Sequence, residues 1–208
     1  IDRSRGLGDV YKRQLKELCK KYKLLLIFDE VQSGIGRSGH FLSHESCRVT
    51  PDIVALAKGL GNGFPIGACL ATEEVSNSMV PGTHGSTYGG NPLGCAVALE
   101  TIKHIIKPEF LSTIRRKGDF FKERLHSLLE MFPEQILEVR GRGLMLGLKC
   151  VSKNLHLIEM CREEKLLLVP GASNTVRILP PLIITYKEIK EAILRLERAL
   201  LRMRKLNE

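Results

Sequence analysis

Two side chains in the first third of the sequence have the types and settings that covalent chemistry on a carbonyl needs. Asp29 closes the apolar run Leu24–Phe28. Open α/β sheets place ligands at the carboxyl ends of their strands, and a carboxylate in such a place stays ionised when a cationic partner, such as a protonated ring nitrogen, stands beside it. Lys58 closes the next apolar run, Ile53–Ala57, and is followed by Gly59, Gly61 and Gly63, which let backbone approach a ligand closely. A partly desolvated lysine amine loses pKa and becomes a nucleophile able to form a Schiff base. Taken alone, Lys58 also reads as a solvent-facing strand end.

Other patterns carry less. Gly34-Ile-Gly-Arg-Ser-Gly39 matches the dinucleotide fingerprint and has Asp52 downstream. However, Glu30–Ser33 separate it from the strand, and His40–Glu45 lacks the apolar face of a helix that packs on a sheet. His40 and His44 lack a third neighbouring ligand, so a metal is not expected. Ser86 and Thr87 by themselves are turn residues. Arg177 by itself is a surface arginine. Glu30, Arg140 and Arg142 either organise a site or serve an interface.

These residues must be positioned by regular elements. Leu15–Tyr22 has helical spacing, and Leu24–Phe28 reads as a buried central strand; a helix feeding a buried strand suggests a parallel sheet. Ile53–Ala57 and Ile66–Ala71 are further strands, separated by a glycine-rich turn. Asn91-Pro92 caps a helix over 93–106, and a second amphipathic helix fits 110–131. Strands follow near 136–139 and 144–149, a helix at 155–165, strands at 166–169 and 176–179, and a final helix opened by the capping box Thr185-x-x-Glu188. The expected organisation is part of a sheet-based large domain over 15–106, then a linking helix and a small α+β domain over 107–208. Asp9–Gln14 reads as the translation of a transposase-end adapter, GAT GTG TAT AAG AGA CAG, so residues 1–14 are set apart from the fold.

Composition narrows the function classes. With 208 residues, 43% hydrophobic and 26% charged, the chain has the balance of a globular protein and is neither disordered nor coiled coil. No apolar run approaches the ~20 residues of a spanning helix. The absence of Trp and the scarcity of other aromatics disfavour a single-strand nucleic-acid binder. Part of the +9 net charge sits at the end of the chain, where Arg195, Arg198, Arg202, Arg204 and Lys205 outnumber Glu197 and Glu208 by three; this reads as a solvated helix face. The six cysteines show no C-x-x-C pair and read as reduced.

Five stretches add a resemblance. Leu26–Gly39 with Asp29-Glu-Val-Gln32, Pro51–Ala68 around Lys58, His84–Ala96, Val139–Gly147 and Val176–Ile184, in that order, resemble the class III (subgroup II) pyridoxal-phosphate aminotransferases, most closely the acetylornithine type. The resemblance covers residues 15–208 and implies an α/β fold of type I. It implies that Lys58 carries pyridoxal 5'-phosphate through a Schiff base and shuttles a proton, while Asp29 pairs with the pyridinium nitrogen. Val31 then packs on the ring, Gln32 bonds its phenolic oxygen, and Thr87 reaches the phosphate from the neighbouring subunit of a homodimer. Ser86 lies at the substrate side, and Arg177 grips a substrate carboxylate. The implied reaction passes the ω-amino group of N-acetylornithine to 2-oxoglutarate, giving glutamate, in the cytoplasm and in arginine biosynthesis, with no nucleic-acid or membrane partner. Ornithine, succinylornithine and 4-aminobutyrate users share the cofactor motifs, and a non-catalytic remnant is the rival from another class. The family's phosphate-cradling turn, ring-stacking aromatic and second substrate arginine precede Leu15 in its members and have no match here, so the chain reads as a C-terminal fragment.

Overall fold

The computed structural model describes residues 3–205, which divide into two compact units at Leu111/Ser112. The first unit opens with helix α1, Arg3–Tyr22. Its backbone is already helical at Arg3, well before the expected Leu15, so the adapter-like segment continues the helix. Lys, Arg, Leu and Gln over 12–18 are good helix formers and give no stop signal.

Three strands follow: β1 (Ile27–Asp29), β2 (Ile53–Leu56) and β3 (Ala68–Ala71), in the order β1-β2-β3. β1 and β2 run parallel, with Ile27 opposite Ile53 and Asp29 opposite Ala55. β3 turns back antiparallel, with Ala55 opposite Cys69. The expected buried central strand is corrected. β1 is a three-residue edge strand, and Leu24, Leu25 and Ile27 are all more than half exposed.

Alternation along an extended chain explains the split. Leu26 is buried with Cys47 and Val49, and Phe28 and Cys19 pack against that cluster. Leu25, Ile27 and Asp29 take the opposite, exposed side. Three short elements are not foreseen: 3-10 helices over Ser43–Cys47 and Lys58–Leu60 and the single turn α2 (Glu73–Ser76). Helix α3 (Pro92–Ile105) starts as its cap requires, with Asn91 Oδ1 accepting the Gly94 N–H at 2.8 Å.

Helix α4 (Pro108–Met131) leads into the second unit. Its strands β4 (Ile136–Arg142), β5 (Met145–Cys150), β6 (Val169–Gly171) and β7 (Thr175–Ile178) form an antiparallel sheet in the order β4-β5-β7-β6. Helix α5 (Asn154–Glu163) packs against α6 (Tyr186–Lys205). The capping box forms as expected: Thr185 N–H donates to Glu188 Oε2 at 2.7 Å, and Glu188 N–H donates to Thr185 Oγ1 at 3.2 Å. Ile114, Gly118, Phe121, Leu125 and Leu128 put one face of α4 into the core. At Gly118 the helix comes so close to the β4–β5 turn that an added Cβ would stand 2.3 Å from Gly143 O.

The basic run on α6 is a mesh of intramolecular pairs. Arg195 Nε reaches Glu191 at 2.7 Å, Arg198 Nε reaches Glu164 at 3.0 Å, and Arg202 bridges Glu163 and Glu164. Arg204 Nε donates to Glu134 Oε1 at 2.8 Å, and its guanidinium lies 4.6 Å from the Phe132 ring centre. All six cysteines are unpaired. Burial pushes the Cys150 thiol up to about 11 and the Cys161 thiol to about 12, so both sulfurs stay protonated packing groups. No helix among the described residues is long and apolar enough to cross a membrane.

Candidate active site

The parallel pair β1–β2 brings Asp29 and Lys58 to the same end of neighbouring strands. Asp29 is opposite Ala55, and Lys58 follows three residues later on β2's exit. Adjacent strands lie about 4.8 Å apart, and three residues rise about 10 Å. The acid and the amine thus share the carboxyl edge of one two-stranded unit, where open sheets take their ligands.

Local geometry fixes each of them. Asp29 Oδ1 accepts the Val31 N–H at 3.0 Å, an Asx-type turn that leads the chain off the strand. Val31 and Gln32 are half-buried in that turn. On β2, Val54 and Leu56 face the core, so continued alternation would send residue 58 to the same side. Instead Lys58 takes a left-handed φ of +47°, opens a 3-10 turn over Lys58–Leu60 and stays exposed. Such a conformation at a residue other than glycine or asparagine costs on the order of 1–3 kcal/mol and tends to cluster at functional sites. Both groups are exposed in this chain: Asp29 lies on the exposed side of β1 with Leu25 and Ile27, and Lys58 takes the solvent-facing alternative that the sequence leaves open.

The turn after Lys58 is shaped for close backbone approach. An added Cβ on Gly61 would stand 2.0 Å from Phe64 O and 2.7 Å from Ile66 Cγ2. Phe64 lies against the start of α3, where a Cβ on Gly94 would meet Phe64 Cε1 at 3.1 Å. Just ahead of α3, Ser86 and Thr87 occupy an exposed turn in which Gly89 N–H donates to Ser86 Oγ at 3.0 Å. Arg177 stands on β7 in the second unit, with Nε and Nη2 donating to Pro170 O at 3.0 and 2.9 Å. A Cβ on Gly171 would crowd the stem of Arg177 at 3.0 Å from its Cγ, so glycine there gives the arginine room.

Glu30, left open by the sequence, has a definite task. It is 3% exposed and points to the side opposite Asp29. Its carboxylate accepts the backbone N–H groups of Ser43 and His44, the latter at 2.8 Å, and lies 2.9 Å from His44 Nδ1. It caps the 43–47 helix and closes the loop that leaves Asp29. The signal in the sequence was the acid immediately after a strand, on the inward parity. Gly34 is the matching small residue, since its Cβ would stand 2.9 Å from Glu30 O.

Asp52, the acid of the dinucleotide-like pattern, is spent on folding. Its Oδ1 takes Lys16 Nζ at 2.8 Å and its Oδ2 takes the Leu26 N–H at 2.7 Å. The Lys16 hydrogen bond, aided by the Leu26 amide, holds the Asp52 carboxyl below the usual aspartate range. Burial alone pushes the Arg37 guanidinium below its ordinary value.

Comparison with known proteins gives a consistent set of relatives. The family described as aminotransferase class-III matches residues 8–200. The chain is similar to the acetylornithine aminotransferase of Brucella melitensis, at 44% identity over 199 residues, covering 96% of this chain and 49% of the relative. The acetylornithine aminotransferase of Mesorhizobium japonicum is 46% identical over 184 residues, which is 88% of this chain and 46% of the relative. Among solved structures, the ornithine aminotransferase of Toxoplasma gondii, described with partial occupancy of PLP at its active site, superposes with a TM-score of 0.87 at 34% identity over 94% of this chain and 47% of that one. The N-acetylornithine aminotransferase of Stenotrophomonas maltophilia gives 0.83 at 33% identity over 93% and 51%. The chain thus spans about half the length of the curated relatives it matches.

Proposed function

The chain belongs to the class III aminotransferases, and from that membership we propose that it is the lysine-bearing part of a pyridoxal-phosphate enzyme that transfers the ω-amino group of N-acetylornithine to 2-oxoglutarate. The observation that carries the reading is the parallel register Asp29↔Ala55, with Lys58 three residues beyond it. That register sets a carboxylate and a primary amine at one sheet edge, as a cofactor with a basic ring nitrogen at one end and an aldehyde at the other requires.

The residues present fit that group. Asp29 supplies a fixed negative charge, held in place through its bond with the Val31 N–H, to keep a proton on the ring nitrogen. Lys58 supplies the amine that anchors the aldehyde carbon, and its Nζ then takes and returns the proton of the carbon bearing the substrate's amino group. Bound pyridoxal phosphate contributes an electron-accepting ring that makes the loss of this proton possible at neutral pH. Val31 packs on the ring and Gln32 bonds its phenolic oxygen. Thr87, exposed on its turn, reaches the phosphate of a neighbouring subunit's cofactor in a homodimer, and Ser86 serves the substrate side. Arg177, whose stem is held by the β6–β7 hairpin, takes a substrate carboxylate through its two-pronged donor geometry. The reaction belongs to cytoplasmic arginine biosynthesis.

The test is borohydride reduction after loading with pyridoxal phosphate, followed by peptide mapping and by assays of N-acetylornithine, ornithine and 4-aminobutyrate side by side. A pyridoxyl adduct on Lys58 with N-acetylornithine as the preferred donor is the expected outcome. Lack of the adduct on Lys58 would leave the non-catalytic remnant as the better account, and preference for another donor would reassign the substrate.

A further inference from the structure

The loop that leaves Asp29 and the turn that carries Lys58 meet at one residue. Ile35 is 3% exposed although it sits inside a glycine-rich loop, and its φ is +52°. A β-branched side chain is a genuine outlier at such an angle, so packing must hold it there. Gly59, the residue next to Lys58, is a close neighbour: a Cβ built on it would stand 3.4 Å from Ile35 Cβ, 3.6 Å from Cγ2 and 4.0 Å from Cγ1. Two left-handed residues, Ile35 and Lys58, thus lie on either side of one small contact.

We propose that Ile35 is a positioning residue for Lys58: by filling the open face of Gly59 it holds the lysine's left-handed turn in place relative to Asp29. The loop carrying Ile35 is anchored at its base, where Asp29 Oδ1 takes the Val31 N–H and Glu30 O takes the Gly34 N–H at 3.0 Å. The turn carrying Lys58 is closed by Leu60 N–H donating to Ala57 O at 3.0 Å and by Gly61 N–H donating to Lys58 O at 3.2 Å. Each half is tied locally, and the Ile35–Gly59 contact joins them. The inference rests on the assignment of Lys58 as the cofactor-bearing lysine, and it adds a buried residue that this assignment leaves without a role.

The contact predicts an unusual substitution pattern. Ile35→Val keeps the three carbons that face Gly59, whereas Ile35→Ala keeps only one. Two readouts apply: amide hydrogen exchange at Leu60, Gly61 and Asn62 in the cofactor-free protein, and the share of borohydride-fixed pyridoxyl adduct found on Lys58 rather than on other lysines. Ile35→Ala is expected to speed exchange at the turn about tenfold or more and to lower the Lys58 share, while Ile35→Val behaves as the parent. Gly59→Val, which crowds the same contact from the other side, should reproduce the alanine result and serves if Ile35→Ala does not fold. Val49→Ala, a loss of buried volume in the Leu26–Cys47–Val49 cluster, controls for general loosening. Unchanged exchange in Ile35→Ala, or an equal change in Val49→Ala, would overturn the proposal. A parent that gives no Lys58 adduct would overturn the cofactor assignment instead, and the exchange readout would still decide whether Ile35 holds the turn.

Discussion

The two units spend their apolar residues differently. Among the described residues, the twelve largest fully buried side chains, from Ile114 to Leu200, all lie in the second unit. The first unit buries small clusters such as Leu26, Cys47 and Val49, and leaves Ile27, Leu70, Leu93 and Leu99 about half exposed or more. Its left-handed non-glycine residues include Ile35, Lys58 and Asn62, close to the proposed chemistry. A region with a closed core fixes its geometry by packing. A region that presents reactive groups fixes it by turns, caps and buried hydrogen bonds, and tolerates strain where those groups emerge.

If packing dominates the second unit, the largest effect belongs at its tightest backbone contact. Gly118→Ala places a methyl 2.3 Å from Gly143 O, where neither helix nor turn can yield cheaply. Chemical denaturation should show a loss of about 3 kcal/mol or more, and a loss below 1 kcal/mol would show that this interface is looser than drawn.

The first unit should respond most to its polar ties. Asp52→Asn removes the charge that joins Lys16 of α1 to the Leu26 amide, and a loss of about 2 kcal/mol is expected for charge-assisted bonds of this kind. The same tie sets a pH dependence. Because the folded-state pKa of Asp52 is depressed, its contribution is complete above the unfolded aspartate value of about 3.9 and is lost as pH falls through the lower folded value. Unfolding midpoints measured from pH 6 to pH 2 should therefore converge for the parent and Asp52→Asn at the acid end. A constant gap would mean that the bond is not charge-assisted.

The smallest effect tests a single cap. Thr185→Ala removes one half of the reciprocal pair with Glu188 and should cost about 1 kcal/mol. Thermal melting of the variant measures it, and no shift would show that α6 is held by its packing and its arginine pairs alone.

Much of this was legible in the sequence. Asn91 and Thr185-x-x-Glu188 mark helix starts because a cap depends on side chains within one turn. Most of the second unit's alternation of strands and helices reads out because the apolar faces of α4, β5, β7 and α6 end up buried, as the periodic pattern says. Most errors fall in the first unit, but one is in the second: the strand expected at 166–169 forms instead over Val169–Gly171, and Leu167 stands 83% exposed, because strand pairing with β7 and not the apolar run sets its place. Leu24–Phe28 reads as a buried strand, yet only Ile27–Asp29 pairs and one side of it is bare. The number of strands and what lies above them are not encoded in a five-residue run. The basic stretch on α6 is a solvated face, as it reads; what the sequence does not show is its pairing with Glu134, Glu163 and Glu164, which are far away in the chain.

Residue type and order alone determined that an acid ends one strand, that a lysine ends the next, and that glycines follow the lysine. Those are local facts of alternation and turn chemistry. Only the tertiary structure decided that the two strands are parallel neighbours, that Asp52 is occupied by Lys16 and Leu26, and that Lys58 leaves its strand through a left-handed turn under Ile35. Each depends on groups well separated along the chain whose meeting is set by packing and hydrogen bonding, which no local pattern contains.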